Sequence, residues 1–542
     1  MISRNGASQP PDGGRFRVVL TDLVPADGLA PLHSDDRFEV VERVGVKGDD
    51  LADALADADA VIVRSSTKIT REALARAERL QAIGRAGVGV DNIDVEAATE
   101  RGIAVLNAPS GNTISAAELT MALLLALVRR LPAASRSMRD GEWDRKRFRG
   151  TELYRKTLGL VGAGRIGGEV ARRARAFGMQ VIAYDPYLKE DRAKALEIEL
   201  AEFDDVLSRA DVLSLHVPLT DDTRGLIGEA ELERMRPGAF IINAARGGVL
   251  DQDALLRALD DGHLAGAALD VYTEEPPAAD HPLRSRDDVV LTPHLGAATV
   301  EAQHNVAVEV AHAVRAALTE GDFSHAVNAP AVGGEVMRRM APLLDLAERL
   351  GRLGCAMADG RVAALEVRYA GSQTGPLSPI VACSLVGVLS GNLGPGAINM
   401  VNATHLAAAR DLAISEVRLG TRGDYAEYIE LRLTNGAMDV RVAGALLGEG
   451  FQRVVRLNQY HVDIRPEGCL VILRNRDVPG VIGRVGTILG EAGINIGEYD
   501  QARMEAGGEA LAAISIDTPL PDEVKSALEA LPEVLSVRQV DL

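Results

Sequence analysis

Val161-Gly162-Ala163-Gly164-Arg165-Ile166-Gly167 is the stretch that decides the fold of the centre of this 542-residue chain. Its G-x-G-x-x-G pattern permits a tight turn, close approach of the backbone to a pyrophosphate, and close packing of a helix on a strand. A strand is predicted at 156–161, a helix at 165–177 and a second strand at 179–184, which ends next to Asp185. The helix N-terminus then faces the anion, and Asp185 can accept hydrogen bonds from the ribose hydroxyls. Since no arginine follows Asp185 directly to hold a 2′-phosphate, the pattern favours NAD over NADP.

Short apolar strands alternate with helical patterns on both sides of this unit, and that alternation predicts parallel sheets of the α/β class. The predicted strands outside the unit are 16–23, 60–63, 80–84, 103–106, 212–216, 240–243, 266–269 and 289–291. Helices are predicted at 115–130 and 299–318. A linker rich in Gly, Ser, Asn and Pro follows at 321–334.

The pattern changes beyond the linker. A helix at 335–353 and alternating strands predict an α+β region, and the last part of the chain reads strand, helix, strand, strand, helix, strand. That order is typical of a ferredoxin-like sandwich.

Two further segments carry the residue types that hydride transfer to or from a 2-hydroxy acid needs. In Asn243-Ala244-Ala245-Arg246-Gly247-Gly248, the guanidinium of Arg246 can bind a carboxylate through two parallel hydrogen bonds and polarise a carbonyl. His294 follows the strand at 289–291 and can take the hydroxyl proton as the hydride leaves. Glu275, which also follows a strand, can orient the His294 ring and stabilise its protonated form.

Composition restricts the remaining function classes. The formal net charge of −19 argues against nucleic acid as a general partner, and no apolar run approaches the ~20 residues that cross a bilayer. Cys355, Cys383 and Cys469 are widely spaced, so we expect no disulfide framework, no metal site and a reducing, cytoplasmic location. Residues 1–14 lack the apolar stretch of a signal peptide and are expected to form a flexible tail.

The chain resembles the D-isomer-specific 2-hydroxyacid dehydrogenases over roughly residues 16–330. The resemblance rests on the glycine loop, the segments around Arg246, Glu275 and His294, and three further motifs. These are Arg64-Ser65-Ser66-Thr67, Gly84-Arg85-Ala86-Gly87-Val88-Gly89-Val90-Asp91-Asn92 and Asn107-Ala108-Pro109-Ser110-Gly111-Asn112. The family implies a Rossmann-type NAD domain inserted into a flavodoxin-like substrate domain, with Arg246, Glu275 and His294 as catalytic residues.

The resemblance also implies the cofactor contacts. They are Gly162, Gly164, Arg165, Ile166, Gly167, Asp185, Ala244, Arg246, Asp270, His294 and Gly296.

The substrate side of the predicted cleft is basic. Arg64 and Arg85 end strands of the first domain, and Arg145 lies in the basic run 145–149, which we expect beside the cleft. Three cationic side chains suit a substrate with both a carboxylate and a phosphate, and the resemblance of 108–152 points to 3-phosphoglycerate.

The end of the chain resembles an ACT domain, a small amino-acid-sensing module, through residues 473–483 and 493–496. The resemblance implies a serine site of Asn475, Asp477 and Asn495 that forms where two such modules pair. Residues 335–465 resemble an intervening domain that binds anions at a subunit contact. Arg453, His461 and Arg465 fall where its basic ligands are expected.

We therefore predict a substrate-binding domain at 15–108 and 300–330, an NAD-binding domain at 109–299, an intervening domain at 331–466 and an ACT domain at 467–542. The predicted reaction is NAD-dependent oxidation of 3-phospho-D-glycerate to 3-phosphooxypyruvate, which begins serine synthesis. Feedback control by L-serine, a 2-oxoglutarate side reaction and a homo-oligomer, specifically a tetramer, are implied by the resemblance. Two alternatives are a glyoxylate or hydroxypyruvate reductase, and a dinucleotide-sensing interaction protein like the corepressors of the superfamily.

Overall fold

The structure is a computed structural model that describes residues 14–391, 393, 396–420, 425–448 and 450–542. The predicted tail at 1–14 lies outside the described residues, apart from Gly14. None of the helices in these ranges is both long and apolar enough to cross a membrane.

The first sheet is parallel and forms the substrate-binding domain. Its strands are β1 (Phe16–Leu20), β2 (Phe38–Glu42), β3 (Ala60–Val63), β4 (Ala82–Arg85) and β5 (Ala104–Asn107), with helices α1 (Ala30–His33), α2 (Gly48–Ala56), α3 (Arg71–Leu74) and α4 (Val95–Glu100). The strand order β2-β1-β3-β4-β5 is the flavodoxin-like order that the resemblance implies. Because all these strands run the same way, β1, β3 and β4 bring their carboxyl ends to one edge.

The second sheet is also parallel and forms the NAD-binding domain, with strand order β12-β11-β10-β9-β6-β7-β8. Its strands are β6 (Thr157–Val161), β7 (Gln180–Tyr184), β8 (Glu199–Leu200), β9 (Val212–Leu215), β10 (Ala239–Asn243), β11 (Leu264–Leu269) and β12 (Val289–Leu291). Its helices are α5 (Thr113–Val128), α6 (Leu131–Arg139), α7 (Arg165–Ala176), α8 (Glu190–Ala195), α9 (Phe203–Arg209), α10 (Glu229–Arg234) and α11 (Gln252–Asp260). The strand order reverses between β6 and β9, and the crevice at such a switch point is where open α/β sheets bind ligands.

Helix α12 (Val300–Glu320) returns the chain from the second sheet to the first. It buries Val310 and Val314 in the core of the first sheet. A Cβ placed on Gly84 would lie 2.7 Å from Val314 Cγ2, so a glycine here allows the helix to lie directly on β4. The NAD-binding domain is therefore inserted between parts of the substrate-binding domain, as predicted.

The intervening region combines helices with a mixed sheet of strand order β14-β13-β15-β16-β17-β18. Its elements are α13 (Gly334–Met357), β13 (Ala364–Ala370), α14 (Ser378–Ser390), α15 (Ala403–Ala408), β14 (Ala413–Arg418), β15 (Glu427–Thr434), β16 (Asp439–Leu447), β17 (Phe451–Leu457) and β18 (Tyr460–Ile464). Helices α13 and α14 pack backbone to backbone, because a Cβ on Gly387 would lie 2.0 Å from the carbonyl oxygen of Glu348.

The C-terminal domain has the ferredoxin-like order β20-β21-β19-β22. Its elements are β19 (Cys469–Arg476), α16 (Val481–Glu491), β20 (Ile496–Arg503), β21 (Glu509–Ile516), α17 (Asp522–Glu529) and β22 (Val534–Asp541). One face of the sheet packs on its own two helices. The other face contributes Leu470, Ile472 and Leu511 to the core of the intervening region.

Candidate active site

The glycine loop between β6 and α7 has the shape that a dinucleotide requires. Gly162 has φ of +89°, and a Cβ there would lie 2.7 Å from the carbonyl oxygen of His216. A Cβ on Gly167 would lie 2.3 Å from the carbonyl oxygen of Gly162, whereas one on Gly164 would meet nothing within 4 Å. Two glycines thus permit tight packing, and the third leaves open space at the start of α7. These residues fit a pyrophosphate at the helix N-terminus.

Asp185 lies directly after β7 beside this loop. Its Oδ2 accepts a hydrogen bond from the backbone N–H of Ala163 at 2.9 Å, and its Oδ1 accepts one from the N–H of Tyr187 at 2.9 Å. The carboxylate therefore fixes the loop and stays half-buried at the switch point, where a ribose can reach it. Arg165 and Ile166 begin α7, and the guanidinium of Arg165 points back to the carbonyl of Pro109 at 3.5 Å.

His294 and Glu275 form a pair at the carboxyl edge of the same sheet. Nδ1 of His294 lies 2.7 Å from Oε2 of Glu275, and Oε1 of Glu275 accepts from the N–H of Tyr272 at 3.1 Å. Burial alone would raise the pKa of Glu275, but the hydrogen bonds from His294 and Tyr272 outweigh it and hold the pKa below its ordinary value. The charged carboxylate accepts the Nδ1 proton, which leaves the lone pair on Nε2 of His294 for a substrate proton.

Asp270 positions the His294 loop. Its side chain is fully buried, and its oxygens accept hydrogen bonds from Thr292 Oγ1 at 2.6 Å, Leu295 N at 2.7 Å and Gly296 N at 2.9 Å. Burial raises the pKa of Asp270 more than these hydrogen bonds lower it. The contact of Asp270 with the dinucleotide stays a prediction. The loop holds His294 at φ of +56°, a conformation that needs such support.

Arg246 is presented by a loop that Asn243 shapes. The amide of Asn243 donates to the carbonyl of Arg246 at 2.9 Å and accepts from the N–H of Ala245 at 3.1 Å. A Cβ on Gly247 would lie 1.9 Å from the carbonyl oxygen of Tyr272, so the loops after β10 and β11 touch through their backbones. This contact brings Arg246 near Glu275, and the Arg246 charge contributes to the lowered pKa of Glu275. Ala244 is half-buried in the same loop.

Arg64, Arg85 and Arg246 gather their charges at the cleft between the first two domains. Burial lowers the pKa of Arg85 to about 10, and the charges of Arg246 and Arg64 lower it further, against the opposing effect of Asp91. The Nε of Arg85 is buried and has no hydrogen-bond partner among the described residues. Three clustered positive charges and an unpaired buried donor suit an anionic ligand.

Two residues that sequence reasoning missed clamp the loop that carries Arg64. The buried carboxylate of Asp22 accepts from Arg64 N at 2.5 Å, from Thr67 N at 3.3 Å and from Thr67 Oγ1 at 3.0 Å. On the other side, Nδ2 of Asn92 donates to the carbonyls of Arg64 and Thr67 at 2.7 and 2.6 Å. The available signal was an acidic residue near the end of the predicted first strand and an amide within the quoted motif that ends at Asn92.

The loop that carries Arg145 lies on the opposite side of its own NAD-binding domain. Nη2 of Arg147 donates to Oδ2 of Asp287 at 2.8 Å, and Asp287 precedes β12 whereas His294 follows it. Asp287 and His294 lie on either side of β12 and so at opposite edges of the sheet. Within one chain, the basic run therefore does not flank the cleft as predicted. The run occupies the amino edge of the sheet, and Arg145 is exposed there.

The predicted serine residues do not meet within one ACT domain. Asp477 follows β19, where it accepts from Arg503 at 2.8 Å, while Asn495 precedes β20 and donates to Asp517 at 2.9 Å. Cys469 and Ile496 both pair with Ile516, so Asn495 lies at the Cys469 end of the sheet, about 27 Å from Asp477 at ~3.4 Å per residue. Asn475 is fully buried. Its Nδ2 donates to the carbonyl of Arg476 at 2.8 Å, and its Oδ1 has no partner among the described residues.

The arginines of the predicted anion site in the intervening domain form ion pairs within the chain. Arg453 pairs with Asp463 at 3.0 Å and with Glu498 at 3.3 Å, and Arg465 pairs with Glu498 at 3.4 Å. Glu498 belongs to β20, so these arginines join the intervening domain to the ACT domain. His461 is exposed on β18 opposite Arg456. Anion binding by these residues at a subunit contact stays a prediction. The part of the chain that the structure describes holds no cluster of three or more His, Cys, Asp or Glu residues fit for a metal ion.

Comparison with known families agrees with this architecture. The sequence model of the D-isomer specific 2-hydroxyacid dehydrogenase NAD binding domain matches residues 121–296. That of the D-3-phosphoglycerate dehydrogenase intervening domain matches 339–458, and that of the ACT domain matches 470–533. The structure of the D-lactate dehydrogenase of Aquifex aeolicus, solved with NAD and lactic acid, is 31% identical in sequence and superposes with a TM-score of 0.51. The match covers 58% of this chain and 99% of the Aquifex aeolicus chain. An NAD domain inserted in a substrate domain, with arginine, glutamate and histidine at their cleft, defines a D-isomer-specific 2-hydroxyacid dehydrogenase.

Full-length relatives make the assignment more specific. The D-3-phosphoglycerate dehydrogenase of Bacillus subtilis is 40% identical over 534 residues, which is 97% of this chain and 100% of the relative. The D-3-phosphoglycerate dehydrogenase of Mycobacterium tuberculosis is 41% identical over 528 residues, which is 97% of this chain and 99% of the relative. The chain belongs to the D-3-phosphoglycerate dehydrogenase family, and its cofactor is NAD.

Proposed function

We propose that this enzyme oxidises the C2 hydroxyl of 3-phospho-D-glycerate to give 3-phosphooxypyruvate, the step that begins serine synthesis from this substrate. The observation that carries the proposal is the gathering of Arg64, Arg85 and Arg246 at one cleft beside His294. A substrate with a carboxylate at one end and a phosphate at the other supplies the negative charge that this cluster needs. Arginine matches both groups because its planar fork donates two parallel hydrogen bonds.

The roles of the residues follow from the geometry. Arg246 binds the substrate carboxylate next to C2, and Arg64, with Arg85 behind it, binds the phosphate. Nε2 of His294 accepts the proton of the C2 hydroxyl, while Nδ1 stays hydrogen-bonded to Glu275 at 2.7 Å. Glu275 stabilises the imidazolium that forms, since its lowered pKa keeps it charged. The nicotinamide, when bound, supplies the acceptor for the hydride that leaves C2.

The activity is tested by NAD reduction with 3-phosphoglycerate and with unphosphorylated glycerate. We expect 3-phosphoglycerate to be preferred in kcat/KM, since the arginines lose their second anion with glycerate. His294→Ala should lose most of kcat while still binding NAD, and Arg64→Ala should mainly raise KM. Arg76→Ala, on the exposed surface of the same domain, is the matched control. Near-native kcat in His294→Ala, or equal use of both substrates, would contradict the proposal.

Serine control is the second part of the proposal. Asp477 and Asn495 lie at opposite ends of one ACT sheet, so a site that uses both needs two copies of the domain. The exposed apolar side chains of Val478 and Ile482 adjoin Asp477, with 40% and 52% of their surface accessible, and suit such a contact. We expect L-serine to inhibit the enzyme and Asp477→Ala to weaken that inhibition without changing kcat in its absence. Inhibition by serine that is unaltered in Asp477→Ala would contradict this site.

We also propose a homo-oligomer, specifically a tetramer. Leu131, Met138 and Trp143 expose 53%, 55% and 76% of their surface on α6 and the loop that follows it. Such a patch is typical of a surface that another protein chain covers. Light scattering coupled to gel filtration tests the proposal. A monomer across micromolar concentrations would contradict it.

A further inference from the structure

A cavity of about 440 Å³ lies in the intervening domain, away from the cleft and from the ACT sheet ends. It forms where the C-terminal ends of α13 and α14 meet the segment that follows α15. Its apolar wall consists of Val362, Val388, Leu389 and Leu412, with the thiol of Cys355 beside them. A volume of this size falls within the ~300–1,000 Å³ that small-molecule sites occupy.

Two guanidinium groups stand in this otherwise apolar lining. Arg361 donates to the carbonyl of Arg410, and Arg410 donates through Nη1 to the carbonyl of Leu406 at 3.1 Å. Each arginine therefore has its position fixed by the backbone and keeps further N–H donors for a ligand.

The charge of this pair is only weakly opposed. Among the described residues, the acidic group against Arg361 is Asp411, at 3.7 Å, and the Asp411 side chain is 95% exposed. An ion pair with such an exposed carboxylate is surrounded by water and contributes little stabilisation. The other nearby carboxylate, Asp359, is already paired with Arg538 of β22.

We propose that this cavity binds a small carboxylate with an apolar body. An apolar cavity wall favours an apolar occupant, because burial of the occupant releases water from apolar surface. The carboxylate would lie against the remaining N–H donors of Arg361 and Arg410, since a charge-assisted hydrogen bond is stronger than a neutral one. Neither the dehydrogenase reaction nor the serine site uses these residues.

The cavity lies between segments that contact the two neighbouring domains. Ahead of α15, Asn399 donates to the carbonyl of Gly102 in the substrate-binding domain at 2.8 Å. The loop on the other side of the cavity carries Asp359, whose partner Arg538 belongs to the ACT domain. A ligand between these two walls therefore contacts segments that are tied to both neighbouring domains.

Cys355 provides the reporter for the test, because Cys383 and Cys469 are buried and Cys355 is partly accessible. The full-length protein is alkylated with N-ethylmaleimide, and the labelling rate of Cys355 is followed by peptide mass spectrometry. Three probes are compared. Octanoate carries both an apolar chain and a carboxylate, 1-octanol carries the chain without the charge, and acetate carries the carboxylate without the long chain. We expect octanoate at about four times its Kd to slow labelling about fivefold, and the other two to have little effect.

Substitutions in the cavity lining test where octanoate binds. Replacing both Arg361→Gln and Arg410→Gln should weaken octanoate protection about tenfold, and Arg76→Gln in the first domain should leave it unchanged. Val388→Phe should fill the cavity and abolish protection, with retained dehydrogenase activity as the check on folding. No protection by octanoate, equal protection by octanol, or full protection in the double arginine variant would overturn the proposal.

Discussion

Arg246 of the NAD-binding domain forms an ion pair with Asp91 of the substrate-binding domain, with 3.1 Å between Nε and Oδ2. The pair crosses the cleft and holds the guanidinium against Gly89, where an added Cβ would lie 1.9 Å from Nη2. The carboxylate-binding arginine is therefore positioned by both domains at once.

Gly89→Ala should displace the Arg246 guanidinium without disturbing the fold, because the clashing atom is the end of a flexible side chain. We expect KM for 3-phosphoglycerate to rise about tenfold or more, the cost of losing about 1.4 kcal/mol of binding. NAD affinity and thermal stability should remain near native. Steady-state kinetics measure KM and kcat, and a thermal melt measures Tm. A large fall in Tm with the kinetics intact would show that Gly89 serves packing instead.

Glu275→Gln tests the histidine pair through pH. The pKa of Glu275 is lowered, so its carboxylate stays charged to a pH below its ordinary value and faces Nδ1 of His294 at 2.7 Å. An amide cannot supply that charge, so the imidazolium that forms in the reaction loses its stabilisation. We expect kcat to fall about 10–100-fold at neutral pH. The difference between the two enzymes should shrink at low pH, where Glu275 of the native enzyme becomes protonated. Steady-state kcat measured against pH checks this, and a near-native kcat at neutral pH would mean that Glu275 does not assist the base.

Asp22→Asn tests the clamp on the Arg64 loop. The carboxylate accepts from two backbone N–H groups and a hydroxyl, and hydrogen bonds to a buried charged group are worth about 1.5–3 kcal/mol each. We expect KM for 3-phosphoglycerate to rise much more than KM for glycerate, because glycerate has no phosphate for Arg64 to hold. Asp27→Asn, an exposed acid on the same domain, is the control. Equal changes with both substrates would assign Asp22 to general stability.

The parallel sheets and the active-site residues were predictable because their signals are local. A glycine pattern, a strand that ends in Arg246 or His294, and the rule that parallel strands share a carboxyl edge place these groups together without a structure. The same rule applies to the basic run at 145–149, which precedes β6 and so belongs to the amino edge of the sheet. The contact of Arg147 with Asp287, which precedes β12, agrees with that position.

The contacts that the sequence did not predict join residues that are distant along the chain. Arg453 and Arg465 each pair with Glu498 of the ACT domain, 45 and 33 residues further along. The buried carboxylate of Asp270 binds the backbone of the His294 loop. Neither contact has a local sequence signal, because each depends on which loops and domains meet.

Glu498→Gln tests whether that interdomain contact fixes the ACT domain. Glu498 pairs with Arg453 and Arg465 and also accepts from the backbone N–H of Arg465 at 3.1 Å. The neighbouring Asp500 accepts from the N–H of Asp463 at 2.8 Å, so carboxylates of β20 cover the free edge of β18. Removing the charge leaves the half-buried Arg453 and the exposed Arg465 without their shared partner, so the ACT domain should loosen from the intervening domain.

We therefore expect Glu498→Gln to speed proteolysis at 465–468 several-fold and to lower serine inhibition, with kcat in the absence of serine unchanged. Glu505→Gln, in the exposed turn after β20, is the matched control. The apolar contact of Leu470 and Ile472 persists in the variant, so the two domains should still unfold at neighbouring temperatures. Proteolysis at the native rate would show that this apolar contact alone holds the ACT domain and that the ion pairs contribute nothing to its position.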